Sequence, residues 1–187
     1  MNFLSKIINA ADRKSQLGVL KNHPKTALAG DPKLGTGNHF VLYPNAQQIS
    51  IGAQLNLRNH IHFIVGNDAR LAIGNRVFMN NFCSVNCLEH IEIGDHTLFG
   101  ENVKIYDHNH RYEHTENGLR LSHSEFTTAP VKIGKNCWLG SNVTVLKGVT
   151  IGDNCIIGAG CTIAKDVPAN STAVSYTHLT LPTKRIV

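Results

Sequence analysis

The stretch Ile133-Gly134-Lys135-Asn136-Cys137-Trp138-Leu139-Gly140-Ser141-Asn142-Val143-Thr144-Val145 decides the fold. An aliphatic residue recurs in it every six positions, and the series runs on through Ile151, Ile157 and Ile163. A small residue follows most of them: Gly134, Gly140, Gly152, Gly158 and Ala164. Upstream, the same rhythm holds through Ile73, Met79 and Val85 and through Ile93, Phe99 and Ile105. A period of six fits neither a helix nor a plain strand. It fits a triangular coil in which each six-residue unit makes one face and about eighteen residues make one turn, a repeat architecture of the solenoid kind. Each aliphatic residue then fills the interior, and its burial contributes roughly 1.5–3 kcal/mol. The Gly after it suits a corner that a side chain would crowd, or one that needs a positive φ.

The fifth residue of each unit also points inward and is small or β-branched: Val77, Cys83, Thr97, Val103, Cys137, Val143, Val149, Cys155 and Cys161. Cys137 and Cys155 should therefore stack in adjacent coils. The five Cys read as small core fillers and lack the spacing of a disulfide framework. Ile-Gly pairs at Ile51, Ile73, Ile93, Ile133 and Ile151 open successive coils, in steps of 22, 20, 40 and 18 residues. The two extra residues of the second step sit near Leu88-Glu89 as a bulged corner. Most of the excess in the step of 40 maps to about 111–130, a polar stretch expected to be extruded as one exposed loop. Long loops in compact domains are commonly functional.

At 187 residues the chain is one domain by default, and with 6% aromatic residues its core must be aliphatic. The net charge of +5 is scattered, with no basic block, which excludes an obvious nucleic-acid surface. No apolar run is long enough to span a membrane, and the N-terminus lacks signal-peptide features; a cytoplasmic location is expected. Residues 1–40 read as a helix and lead-in. Phe3, Leu4, Ile7, Ile8 and Ala11 make one helical stripe, which packs on the coil or on a neighbouring subunit. With Lys6, Arg13 and Lys14 beside it, peripheral contact with a membrane surface is the alternative. Residues 41–172 form the coil. Ala173–Val187 drops the rhythm, resembles the translation of a sequencing adapter, and reads as a non-native tail.

Proton abstraction near neutral pH calls for His. His108, His110, His114 and His123 crowd the break in the rhythm. His110 ends its unit where the chain leaves the coil, on rigid structure yet exposed.

The repeat resembles the hexapeptide-repeat family over about residues 51–170. That resemblance implies an all-β fold: a left-handed parallel β-helix, against the usual crossover hand. Ile105-Tyr106-Asp107-His108-Asn109-His110 is similar to the Ile-Tyr-x-x-x-His segment of maltose and galactoside acetyltransferases. Asn109-His110-Arg111 is similar to the Asn-His-Arg segment of xenobiotic acetyltransferases, and the Asp-His-x-His form resembles acetyltransferases of surface-polysaccharide clusters. These matches imply an acetyl-CoA-dependent O-acetyltransferase acting on a sugar or surface-polysaccharide precursor. His110 would be its general base, in a ternary complex without an acyl-enzyme.

The resemblance places Asn80 at the acceptor and His108 in or beside the site. Asp107 would contact sugar or hold an imidazole. The acidic residue of galactoside enzymes falls on Leu88, which points away from galactosides. Trp138, Gly140, Ser141, Gly158, Ala159, Ala164 and Lys165 match the family's acetyl-CoA wall, with Lys165 as a point charge for a phosphate. Many members have Thr where this chain has Ala164. The family pattern also implies a homotrimer with the site between subunits, and no metal. Two alternatives stay open. One is a zinc hydratase of the γ-carbonic anhydrase kind, which needs three protein ligands and an open position; the His110-x-x-x-His114 spacing matches it poorly. The other is a non-catalytic β-helix scaffold.

Overall fold

The computed structural model describes residues 3–174, and the backbone alone at 179–180. Three sheets form the sides of a left-handed parallel β-helix. Face A stacks Thr26–Leu28, Gln48–Ile51, Arg70–Ile73, His90–Ile93, Val131–Ile133 and Thr150–Ile151. Face B stacks Lys33–Leu34, Asn56–Leu57, Phe78–Met79, Leu98–Phe99, Trp138–Leu139, Ile156–Ile157 and Thr172–Ala173, with Leu179–Thr180 antiparallel at its edge. Face C stacks His39–Leu42, His62–Val65, Ser84–Cys87, Lys104–Tyr106, Thr144–Val145 and Thr162–Ile163.

The six-residue rhythm sets the register. Ile51, Ile73, Ile93, Ile133 and Ile151 are partners in one ladder. All five are buried, as are Met79, Phe99, Leu139 and Ile157 on face B. The fifth positions are buried as well, from Val77 to Cys161. The Cys137 and Cys155 thiols donate to Gly152 O at 3.2 Å and Pro168 O at 3.1 Å, each on the coil above. Burial pushes the Cys83 and Cys137 thiols up to about 11, so neither offers a ready thiolate.

Of the two reasons for a corner glycine, crowding is the operative one. A Cβ on Gly94 would lie 2.6 Å from the Gly134 carbonyl carbon, and one on Gly134 would lie 2.6 Å from Asp153 N. Neither glycine has a positive φ. The left-handed residue comes two positions later: His96 (59°), Asn136 (54°) and Asn154 (58°). Asn tolerates that region, and its amides also link the coils: Asn136 Nδ2 donates to Asn154 Oδ1 at 3.2 Å, and Asn154 Nδ2 to Asn170 Oδ1 at 3.0 Å.

The first coil is built from residues the rhythm does not mark. It starts at Thr26, within the segment expected to be a lead-in, because Thr26–Leu28 pairs with Ile49–Ile51. The N-terminal helix spans Phe3–Asn22 and meets the coil through Leu20 and Gln16, both buried. Its expected packing stripe does not face the coil: Phe3, Leu4, Ile7 and Ile8 are exposed. Among the described residues no helix is long and apolar enough to cross a membrane. Most of the tail expected at Ala173–Val187 lies outside the described residues; Ala173 itself is buried in the last rung of face B.

Gly94→Ala should lower stability by about 1–3 kcal/mol through overpacking. Gly30→Ala, where nothing lies within 4 Å of the added Cβ, should change it by less than about 1 kcal/mol. Urea unfolding of the two variants checks the contrast.

Candidate active site

Where the rhythm breaks, the chain forms a hairpin rather than an irregular loop. His108–Thr115 pairs antiparallel with Gly118–Thr128, so the extruded segment starts at His108, ahead of the expected 111. Glu116 and Asn117 make the turn, and Gly118 takes φ 109°. His110 therefore stands on the first hairpin strand, opposite Phe126, just before a register shift. Its Nδ1 lies 3.1 Å from Ser122 O. A carbonyl oxygen only accepts, so Nδ1 carries the proton and donates it to this bond. Nε2 is left with its lone pair, the tautomer a general base needs. The ring packs on Phe126, with centroids 4.6 Å apart, and its edge is exposed.

Asp107 is wholly buried in the chain. It holds an imidazole: His108 Nδ1 lies 3.1 Å from Asp107 Oδ1. The carboxylate also accepts from Leu88 N at 2.9 Å and Glu89 N at 2.7 Å, the two extra residues of the bulged corner. Burial acts to raise this carboxyl. The bonds from His108, Leu88 and Glu89 outweigh it and hold the group below the ordinary carboxylate range. His108 sits edge-on to both Tyr106 and Phe126. Beside Tyr106 in the face C ladder is Asn86, whose buried Oδ1 has no partner among the described residues.

The expected acetyl-CoA wall is a groove on face B. Phe78, Leu98, Trp138 and Ile156 lie in register up the outside of this face. Trp138 is 53% exposed. These side chains line a groove of about 450 Å³ together with Asn80, Gly140, Ser141, Gly158 and Ala159. Asn80 Oδ1 accepts from Asn81 N at 2.9 Å, and its Nδ2 has no partner among the described residues. Ala164 and Lys165 are not in the groove. They follow Thr162–Ile163 at the corner between faces C and A, the corner that carries Asp107 two coils below. Asp107, His108 and His110 thus share one corner with Ala164 and Lys165. Asn80 and the groove lie at the other end of face C. His114 and His123 are on the exposed hairpin. Among the described residues no group of three or more His, Cys, Asp or Glu is placed to hold a metal ion.

Comparison with known proteins agrees with this architecture. The profile of the bacterial transferase hexapeptide (six repeats) matches residues 130–165. Nodulation protein L of Rhizobium leguminosarum bv. viciae is 43% identical over 127 residues, 67% of this chain and 63% of that protein. The chain therefore spans just under two thirds of that relative. Residues 130–165 thus carry the repeat of the hexapeptide transferase family. Among solved structures, the hexapeptide-repeat acetyltransferase VCA0836 of Vibrio cholerae O1 biovar eltor, complexed with acetyl coenzyme A, superposes with a TM-score of 0.60 at 20% identity. It covers 95% of this chain and 79% of its own. A mutant of AntD, an N-acyltransferase of Bacillus cereus in complex with dTDP-4-amino-4,6-dideoxyglucose and coenzyme A, gives 0.68 at 18% identity, covering 84% of each chain.

Sequence reasoning on this hexapeptide-repeat chain missed Ser122, Phe126 and Asn86. A signal existed for the first two: Asn117-Gly118 is a hairpin-turn dipeptide, and Leu119, Leu121 and Phe126 are apolar residues in a polar insert.

Asp107→Asn turns an amide N–H toward the Leu88 and Glu89 donors, and should cost about 1–3 kcal/mol at pH 7. The folded carboxyl titrates below its unfolded value of about 3.9. Its contribution is therefore complete above that pH and is lost as pH falls through the folded pKa. Denaturant titrations should show the wild-type advantage shrinking below about pH 4.

Proposed function

We propose that the chain is an acetyl-CoA-dependent O-acetyltransferase acting on a hydroxyl of a sugar or surface-polysaccharide precursor. One observation carries this reading. His110 is exposed, and its Nδ1 is tied to Ser122 O, so Nε2 is free to take a proton. Nε2 accepts the proton of the acceptor hydroxyl as that oxygen attacks the thioester carbonyl carbon. The tetrahedral intermediate collapses, the carbon–sulfur bond breaks, and the imidazolium returns its proton to the departing thiolate. The products are an acetyl ester and free coenzyme A. A positioned base of this kind is worth roughly 10²–10⁴ in rate.

The donor lies along the face B groove. There Gly140 and Gly158 carry no side chain, and Trp138 offers an apolar face to the pantetheine arm. Lys165 supplies a charge for a phosphate. Asn80, with its Nδ2 unpaired among the described residues, contacts acceptor hydroxyls. His110 and the groove occupy different corners of one chain, so the working unit needs a second copy whose hairpin corner meets the groove, as in the homotrimer that the family resemblance implies. Acetyl and coenzyme A ligands in VCA0836 and AntD, and the sugar nucleotide in AntD, support this reading. Use of acetyl-CoA goes with a cytoplasmic location.

Thiol release from acetyl-CoA, followed against a panel of nucleotide sugars, oligosaccharides and simple glycosides, tests the proposal. His110→Ala should lower kcat by about 10²–10⁴ with unchanged melting. Near-normal turnover would remove His110 from the role of base. His108→Ala should be milder, because Asp107 and Phe126 hold it in place without exposing it as His110 is. Trp138→Ala should raise KM for acetyl-CoA more than it lowers kcat.

A further inference from the structure

One coil below the face B groove a second, separate cleft opens on the same face. Below Phe78 the same outward ladder continues through Asn56 to Lys33, and the wall changes from apolar to basic. Arg58 is one coil below Asn80, its N–H donating to Met79 O at 2.9 Å; neighbouring strands lie about 4.8 Å apart. The N-terminal helix crosses this end of the coil and adds Arg13. Arg13, Lys33 and Arg58, with Asn56, line a cleft of about 530 Å³. None of the three cations forms an ion pair among the described residues. The nearby acids are engaged elsewhere. Asp12 accepts from Gly37 N and Gln16 Nε2, both at 2.8 Å, and Asp31 pairs with Lys21 at 2.7 Å. A cleft lined by charge of one sign concentrates counter-ions, and two guanidinium forks match phosphate oxygens in pairs.

We propose that this cleft holds a phosphate or diphosphate of the acceptor, which makes the acceptor a phosphorylated sugar or a diphosphate-linked glycan. The inference rests on the acetyltransferase reading for the identity of the ligand, because the cleft lies one coil below Asn80, at the end of face B away from Gly158–Ala159. The acceptor then lies along the wall with its sugar hydroxyls at Asn80 and its anionic end at Arg58 and Lys33. The donor's phosphates belong to the opposite end of the groove, beyond Gly158–Ala159.

Calorimetric titration of the full chain with inorganic pyrophosphate, and separately with coenzyme A, tests this without any turnover. Pyrophosphate should bind saturably. Arg58→Gln and Lys33→Gln should each weaken it by about tenfold or more, since a hydrogen bond to a charged group is worth about 1.5–3 kcal/mol. Lys14→Gln, an exposed helix lysine outside the cleft, should leave pyrophosphate binding unchanged. Coenzyme A affinity should be unchanged in all three variants. The proposal is overturned if pyrophosphate fails to bind, if the Arg58→Gln,Lys33→Gln double variant binds it as the wild type does, or if coenzyme A weakens alongside it, which would give the cleft to the donor. Absence of acetyl transfer with intact pyrophosphate binding at this cleft would instead count against the enzymatic reading alone.

Discussion

Close contact between successive coils governs this molecule. Each rung hydrogen-bonds to the next at about 4.8 Å, and at the tightest glycine corners that spacing leaves no room for a Cβ. The backbone of Gly94 faces that of Gly134, and Gly100 faces Gly140-Ser141. Because the coils are held so closely, the inward aliphatic residues stack in unbroken ladders, and the outward ones do the same. The row Phe78, Leu98, Trp138, Ile156 is the external counterpart of the internal row Met79, Phe99, Leu139, Ile157. A groove on such a wall is therefore rigid, straight and lined alternately by side chains and bare backbone. That shape suits a thin, extended ligand better than a compact one.

The one place where the stacking is interrupted needs a different kind of support. A 22-residue excess leaves the coil after Asp107 and must return in register at Val131. The exit is fixed by a buried carboxylate, ordinarily a costly element. Here the cost is offset by two backbone donors from the Leu88-Glu89 corner and by the His108 imidazole. The return is fixed by Ala129 N, which donates to Asp107 O at 2.9 Å, and by Gly148 N, which donates to Ala129 O at 3.1 Å. The hairpin thus has a rigid root on the coil, and His110, the proposed base, stands close to that root, where such a group needs to be held.

The coil was legible in the sequence because a solenoid repeats its packing problem in every turn, so its solution repeats as well. Every inward position named from the rhythm is buried, down to Thr97 and Cys161. The first coil was not legible, since Lys33–Leu34 and His39–Leu42 carry no Ile-Gly pair; they are recruited by pairing with Asn56–Leu57 and His62–Val65 above them. The hairpin was masked by its polar composition, although the Asn117-Gly118 dipeptide marked its turn. The fate of Asp107 could not be read either. Whether a carboxylate faces ligand or interior depends on the donors waiting for it, and those donors, Leu88 N and Glu89 N, come from a coil eighteen to nineteen residues earlier.

The separation of His110 from the face B groove has a physical consequence for how chemistry could occur. The two lie at opposite ends of face C, and the six strands of that face are locked to a filled aliphatic core. A hinge that brought one corner to the other would have to break those ladders, at a cost far beyond what binding a small ligand returns. The hairpin root is equally fixed, so no swing of the hairpin carries His110 around the prism. On the proposed reading, then, base and donor meet only across a boundary between two copies of the chain, with the geometry of that boundary setting the distance from Nε2 to the thioester. Association would not merely stabilise such an enzyme. It would complete the site, and activity would fall with dilution in step with the loss of the assembly rather than with unfolding of the coil.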